Sequence, residues 1–153
     1  MKNYQLLPIV VFSFLSLNLS AQQKQTDPKS FHGAVATAKH YKAVYQLNTD
    51  DDKKIIGTLK NISNALEDPR LKGKLELELV VHGGGVAAFK KGSAYEQQLL
   101  ALQKAGVILA ECENTLRERN ISKDELFDFI SFVPSGNGEL IIRQQQGWAI
   151  IHP

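Results

Sequence analysis

One cysteine, one methionine and one tryptophan occur in 153 residues, and each scarcity removes a class of protein. A single thiol closes no internal disulfide and builds no thiolate metal cluster. The four histidines, His32, His40, His82 and His152, share no ligand spacing, so no metal site is expected. Lys and Arg number 18 against 16 Asp and Glu, both signs are interspersed, and no basic stripe with interleaved aromatics appears. Nucleic acid is therefore not an expected partner. There is no G-x-S-x-G elbow, no G-x-G-x-x-G fingerprint and no P-loop, which sets aside the hydrolase and nucleotide readings a glycine run could suggest. Internal repeats and low-complexity tracts are also missing.

Only one apolar run is long, Leu6 to Leu19, and it follows the positive Lys2. Small residues, Ser20-Ala21, and the polar "QQKQTDPKS" come next. The run is shorter than the roughly 20 residues a membrane-spanning helix needs. Residues 1–21 are expected to be a secretory signal peptide, which implies a periplasmic or otherwise exported protein with no stable membrane anchor after cleavage. No cysteine lies at the cleavage region, which speaks against a lipid-anchored form. Removal of Lys2 takes the formal charge from +2 to +1. About 130 residues remain, enough for one domain with a core.

Residues 22–40 are polar and irregular, with Pro28 and Gly33, and read as an arm or linker. Residues 41–153 are regular. "YKAVYQLN" has the composition of a strand. Ile55, Ile56, Leu59, Ile62 and Leu66 then recur at helical spacing, behind a cap from Thr49 or an adjacent Asp and before Pro69. The acidic run Asp50–Asp52 suits the start of that helix. Leu75–Gly85 starts with strict alternation and becomes an apolar strand. Ser93 with Glu96 predicts a capped second helix ended by Gly106. Val107–Cys112 is a third strand. Thr115 with Glu118, and Ser122 with Glu125, predict two further helix starts. "SFVPSG" is a brief extended run, "GELIIRQQQG" a last helix ended by Gly147, and "WAIIHP" a last strand, with Trp148 most simply a core or interface aromatic. Strands alternating with helices predict a single α/β domain of three layers, with a mainly parallel sheet of approximately five strands flanked by helices.

In such sheets ligands bind beyond the carboxyl ends of the strands. Asn48-Thr49, "HGGG" (residues 82–85), Cys112 and "PSGNG" (residues 134–138) are therefore expected to gather on one edge. A cysteine reacts as its thiolate, which the free amides of a helix start favour. Cys112 has that position, with Asn114, Thr115, Arg117 and Arg119 following; Glu111 and Glu113 flank it and oppose ionisation if they point inward. Free cysteine also commonly packs as an inert buried residue, and both readings stay open on spacing alone. Gly83, Gly84 and Gly85 are expected to form a tight turn whose amides line a small anion-sized pocket with Asn48 and Thr49. His82 is either an assistant to proton movement at Cys112 or a satisfied strand-end histidine.

"VVHGGGV", "LLALQKAGVILAECENTLRERNIS" and "FVPSGNGELIIRQQQGWAIIHP" resemble the DsrE/DsrF-like family of sulfur-relay proteins, from about Tyr41 to Pro153. The most specific element is the strand–cysteine–short helix "GVILAECENTLRERNIS", where family sulfur carriers place their sulfur-accepting cysteine. The resemblance implies a sulfur carrier or sulfurtransferase-like protein that holds sulfane sulfur as a persulfide on Cys112, with no bound cofactor. It implies sulfur donor and acceptor proteins or small thiols as partners, and a homo-oligomer, trimer or hexamer. Two alternatives are a non-catalytic oligomeric module of the same fold that binds a small ligand or protein, and a redox thiol forming an intermolecular disulfide.

Overall fold

Residues 27–153 are described by the computed structural model, so the expected signal peptide at 1–21 lies outside the described residues. The chain divides into two units, Met1–Ala34 and Val35–Pro153. In the first, Asp27 organises a turn: its carboxylate accepts the Lys29 amide at 3.0 Å and its carbonyl the Ser30 amide at 2.9 Å. Among the described residues the second carries all the strands and helices, and no helix is long and apolar enough to cross a membrane.

Five parallel strands form one sheet: β1 (Tyr41–Leu47), β2 (Leu75–Val81), β3 (Ile108–Cys112), β4 (Ser131–Val133) and β5 (Ala149–Ile151). Their order is β4-β3-β2-β1-β5. Helices α1 (Asp52–Glu67), α2 (Glu96–Lys104), α3 (Glu113–Arg119) and α4 (Gly136–Gln145) alternate with them. Right-handed crossovers explain the layering. From β1 to β4 the chain steps in one direction, so α1, α2 and α3 cover one face. The step from β4 to β5 returns across the whole sheet, which puts α4 on the other. The expected α/β class and parallel five-stranded sheet are thus what the chain adopts.

The period of two along each strand sorts side chains between the layers. Tyr45, Leu47, Leu77, Leu79, Val81 and Leu109 pack under α1–α3 with Ile55, Leu59, Ile62, Leu99 and Leu116. The opposite face has a much smaller apolar cluster, Val44, Val80 and Trp148 against Leu140. A buried charge explains the difference. Glu78 is 1% exposed beneath α4, and Arg143 Nε approaches its carboxylate at 2.6 Å, off the line of a hydrogen bond. Arg143 also meets Glu139 at 2.8 Å and lies over the Trp148 ring. Burial raises the Glu78 carboxyl above its usual range, with Arg143 opposing and Glu139 adding to the shift.

Local signals were met unevenly. Asp51 caps α1, accepting the Lys54 amide at 2.9 Å. The helix stops at Glu67 because the residue before Pro69 is forced out of the α region. Ser93 does not cap α2: its hydroxyl donates to the Ala88 carbonyl, and Tyr95 holds the cap position. Thr115 opens no helix either, because α3 starts earlier, with Cys112 itself as N-cap. The Ser122–Glu125 box forms, yet only one 3-10 turn follows, Lys123–Glu125. Beyond it Leu126, Phe127 and Ile130 are drawn into the main core, and the chain bridges Lys90 at Leu126 rather than continuing as a helix.

β2 ends at Val81, and the glycines after it open a 3-10 stretch, Gly83–Phe89. This turn presses on the end of β1. A Cβ on Gly85 would stand 2.4 Å from the Leu47 carbonyl oxygen, whereas one on Gly57 in α1 would meet nothing within 4 Å. Gly85→Ala is expected to destabilise by about 3 kcal/mol, since backbone must move to relieve the contact. Gly57→Ala, a helix-interior site with room, is expected to stabilise by roughly 0.5–1 kcal/mol. Thermal or urea unfolding of the two variants measures both signs.

Candidate functional site

Cys112 is the last residue of β3 and the N-cap of α3, with φ −77° and ψ 115°. That dual position follows from the topology: the strand ends where the helix must turn back over the sheet. The thiol is 5% exposed. Burial pushes its ionisation up, but the amides of Gly136, Thr115 and Asn114 and the Thr115 hydroxyl outweigh it, and the net shift is downward. Two helix starts therefore converge on one sulfur, α3 from its own strand and α4 from across the sheet edge.

The Thr115 hydroxyl is oriented for this task. Its oxygen accepts the Gly83 amide at 2.8 Å, which leaves the hydroxyl proton to donate elsewhere. Gly136 lets α4 come close. A Cβ there would lie 3.2 Å from the His82 Cβ and 3.4 Å from the Cys112 Cβ. Ser135 caps α4, accepting the Gly138 amide at 3.2 Å.

His82 follows β2 on the same face as Cys112. With the Gln46 amide nitrogen 2.7 Å from Nε2, the ring accepts there and carries its proton on Nδ1. Burial, and secondarily His152, lowers its pKa, so the imidazole is neutral at physiological pH. His82, Gly83, Cys112, Asn114, Thr115 and Glu118 line a cavity of about 160 Å³, completed by Ser135 and Asn137 from the start of α4. Larger hollows lie on outer helix surfaces, such as the 480 Å³ groove along α3 between Glu113 and Lys123, but the Cys112 sulfur does not line them.

The glycine run and the β1 end play a different part from the one expected of them. The Gly83 amide goes to Thr115, the Gly84 amide to the Asn48 carbonyl at 3.1 Å and the Gly85 amide to the His82 carbonyl at 3.0 Å. All three donors are used within the fold, so this turn offers no amides to an anion. Asn48 and Thr49 stay with the α1 start, where the Thr49 hydroxyl accepts the Asp51 amide at 3.2 Å. Gly84 and Gly85 pack on β1 backbone and do not line the cavity. The amides that bear on the sulfur come instead from α3 and from Gly136.

Ser135, Gly136 and Asn137 belong to the "PSGNG" segment, whose strand-end position was the signal for them. Gln46 was open to the same reasoning, since it alternates with Val44 onto the His82 face. Glu111 was not. It points to the main core, away from the side of Cys112, and is 0% exposed with no hydrogen-bond partner for either oxygen. Burial pushes its carboxyl up to about 8; the nearby Cys112 amide opposes this without reaching hydrogen-bond geometry, and the charge on Cys112 adds to it. Glu113 leaves the strand for α3 and pairs with Lys123 at 2.5 Å.

Residues 38–153 match the DsrE/DsrF-like family, and the chain belongs to it. A solved protein of unknown function from Methanobacterium thermoautotrophicum, MTH1491, is 31% identical, with a TM-score of 0.70 over 74% of this chain and 99% of its own. The conserved protein of unknown function BT1422 from Bacteroides thetaiotaomicron is 13% identical with a TM-score of 0.59, covering 79% of this chain and all of that one (100%). The ychN protein of E. coli is 17% identical with a TM-score of 0.58, covering 76% of this chain and 100% of its own. At these identities the last two show the fold alone. No curated protein matches the chain.

The protonation of Glu111 has a measurable consequence. An acid whose pKa is raised by folding binds its proton more tightly in the native state. Its contribution is full below the ordinary carboxylate range and is lost as pH rises toward about 8. Stability of the wild type should therefore fall between about pH 5 and pH 8 more steeply than that of Glu111→Gln, by up to about 1.4 kcal/mol per pH unit. Glu78, also raised, contributes to both proteins and cancels in the comparison. Urea unfolding across that range tests it; parallel slopes would mean Glu111 is ionised in the native state.

Proposed function

We propose that this protein is a sulfur carrier, or sulfurtransferase-like protein, that holds sulfane sulfur as a persulfide on Cys112. The observation that supports this reading is the environment of the thiol. Amides from two helix starts and one hydroxyl lower its pKa despite burial, beside a cavity of about 160 Å³. Membership of a family that includes sulfur-relay proteins agrees with it.

The chemistry needs no bound cofactor. The Cys112 thiolate attacks the outer sulfur of a donor persulfide, the donor's S–S bond breaks, and the donor leaves as a thiolate. The terminal sulfur now on Cys112 is in turn attacked by an acceptor thiolate, which regenerates Cys112. Asn114 and Thr115 amides and the Gly136 amide bear on the anion throughout; His82 stands neutral at the cavity wall, its Nε2 already taken by the Gln46 amide. Donor and acceptor are proteins or small thiols. In this reading the N-terminal segment 1–21 directs the carrier out of the cytoplasm, and the carrier acts as a homo-oligomer, trimer or hexamer.

The burial of Cys112 gives the binding-module alternative its own footing, because a sulfur 5% exposed reacts only with partners that enter the cavity. Mass spectrometry of the non-reduced protein, before and after treatment with a small-molecule persulfide and trapping with iodoacetamide, separates the two. A carrier gains sulfur on the Cys112 peptide, Cys112→Ser gains none while keeping its circular dichroism, and Thr115→Val loads at least several-fold more slowly at neutral pH. An unmodified, alkylation-resistant Cys112 would sink the carrier reading in favour of the binding module.

A further inference from the structure

Glu111 occupies an unusual place for a carboxyl. It directly precedes Cys112 on β3, points to the opposite face and is fully buried, and neither oxygen has a hydrogen-bond partner. Glu78, the other carboxyl buried in the sheet, is answered by Arg143; Glu111 has no comparable ion pair. Its in-register neighbours, Val81 on β2 and Phe132 on β4, are apolar. The charged or titratable groups that bear on it, apart from its own strand's Cys112, reduce to Arg119 of α3. An isolated carboxylate in such a place costs several kcal/mol, so the neutral acid is the form the core accepts. The adjacent thiol is biased the other way, toward its anion. The two neighbours are biased against custom: the carboxyl toward its neutral acid and the sulfur toward its anion.

We propose that Glu111 and Cys112 form a coupled pair in which the covalent state of the sulfur sets how readily the buried carboxyl releases its proton. This rests on the reading of Cys112 as a thiolate given above. A negative sulfur disfavours a second negative charge directly behind it, and by linkage an ionised Glu111 disfavours the anionic sulfur. Sulfane transfer leaves that balance alone. The thiolate takes the outer sulfur of an anionic persulfide, the donor departs as a thiolate, and Cys112 remains negative as a persulfide anion. Disulfide formation upsets it. When Cys112 displaces a thiolate from a donor disulfide, the product at Cys112 is a neutral S–S bond, and the opposition to ionising Glu111 disappears. The buried carboxyl thus responds to the dead-end disulfide and not to the productive persulfide, a redox-sensitive device behind the reactive residue. Glu111 is a positioning residue in this scheme; it touches no substrate.

The carboxylic acid stretch in the infrared spectrum reads the state of Glu111 directly, once assigned by its loss in a folded Glu111→Gln protein. The band would be titrated in the free protein, after loading with a persulfide donor, and after capping Cys112 with iodoacetamide to a neutral thioether. Free and persulfidated protein should share a midpoint near 8. The capped protein and Cys112→Ser should both show it lower by roughly half a pH unit or more. No acid band at neutral pH, or one midpoint in all forms, would overturn the pair. Failure to load sulfur alongside a shift on capping would instead remove the carrier reading and leave the coupling standing.

Discussion

Because all five strands run parallel, every one of them delivers the chain to the same edge of the sheet. The rest of the molecule depends on that constraint. β3 can end in Cys112 and have α3 begin at once only because the crossover must leave from this edge and turn back over the core. α4, which serves the opposite face, also starts there, and Gly136 admits it to within van der Waals contact of both His82 and Cys112. A helix start from each side of the sheet thereby reaches one sulfur. A larger residue at 136 would hold α4 away and remove one of the amides that oppose the cost of burying an anion.

Charge is distributed around this edge in an economical way. The wall of the cavity beside Cys112 carries a neutral imidazole, hydroxyl and amide groups and one carboxylate, Glu118. The arginines of the same helix do not line it; Arg117 instead donates to Asn114 from the outer side of α3. Ionisation of this sulfur is thus favoured mainly by amide and hydroxyl dipoles rather than by an ion pair. Dipoles keep a thiolate available without the competing anions that an exposed cation attracts. The neutral Glu111 behind the strand fits the same economy, since a second charge so close would undo what the amides achieve.

The two faces of the sheet also differ in what they can tolerate. The α1–α3 face carries the large apolar core, and a lone acid in it stays protonated. The α4 face has few apolar side chains and instead buries Glu78 with Arg143 against Trp148. That ion pair pins α4 to β2 and so holds Gly136 at the site. The Cys112 edge and the charged network under α4 are therefore parts of one mechanical arrangement.

What the sequence by itself determined was the alternation of strands and helices, the parallel sheet, and the placing of Cys112, His82 and the "PSGNG" turn at strand ends. These depend on period and on punctuation by Gly and Pro, which are local. The caps were less legible. Ser93 and Thr115 have capping-box spacing but spend their hydroxyls elsewhere, Ser93 on the Ala88 carbonyl of the preceding turn at 2.9 Å and Thr115 on the distant Gly83 amide at 2.8 Å. The anion-pocket role expected of Gly83, Gly84 and Gly85 gave way for the same reason, their amides being taken by Thr115, Asn48 and His82. Only the tertiary structure decided that Gly136 would bring a second helix start to the thiol, that Gln46 would fix the His82 tautomer, and that Glu111 would be sealed without a partner. Each is a meeting of groups far apart in the chain or on opposite faces of one strand, and spacing along the sequence carries no record of such distances.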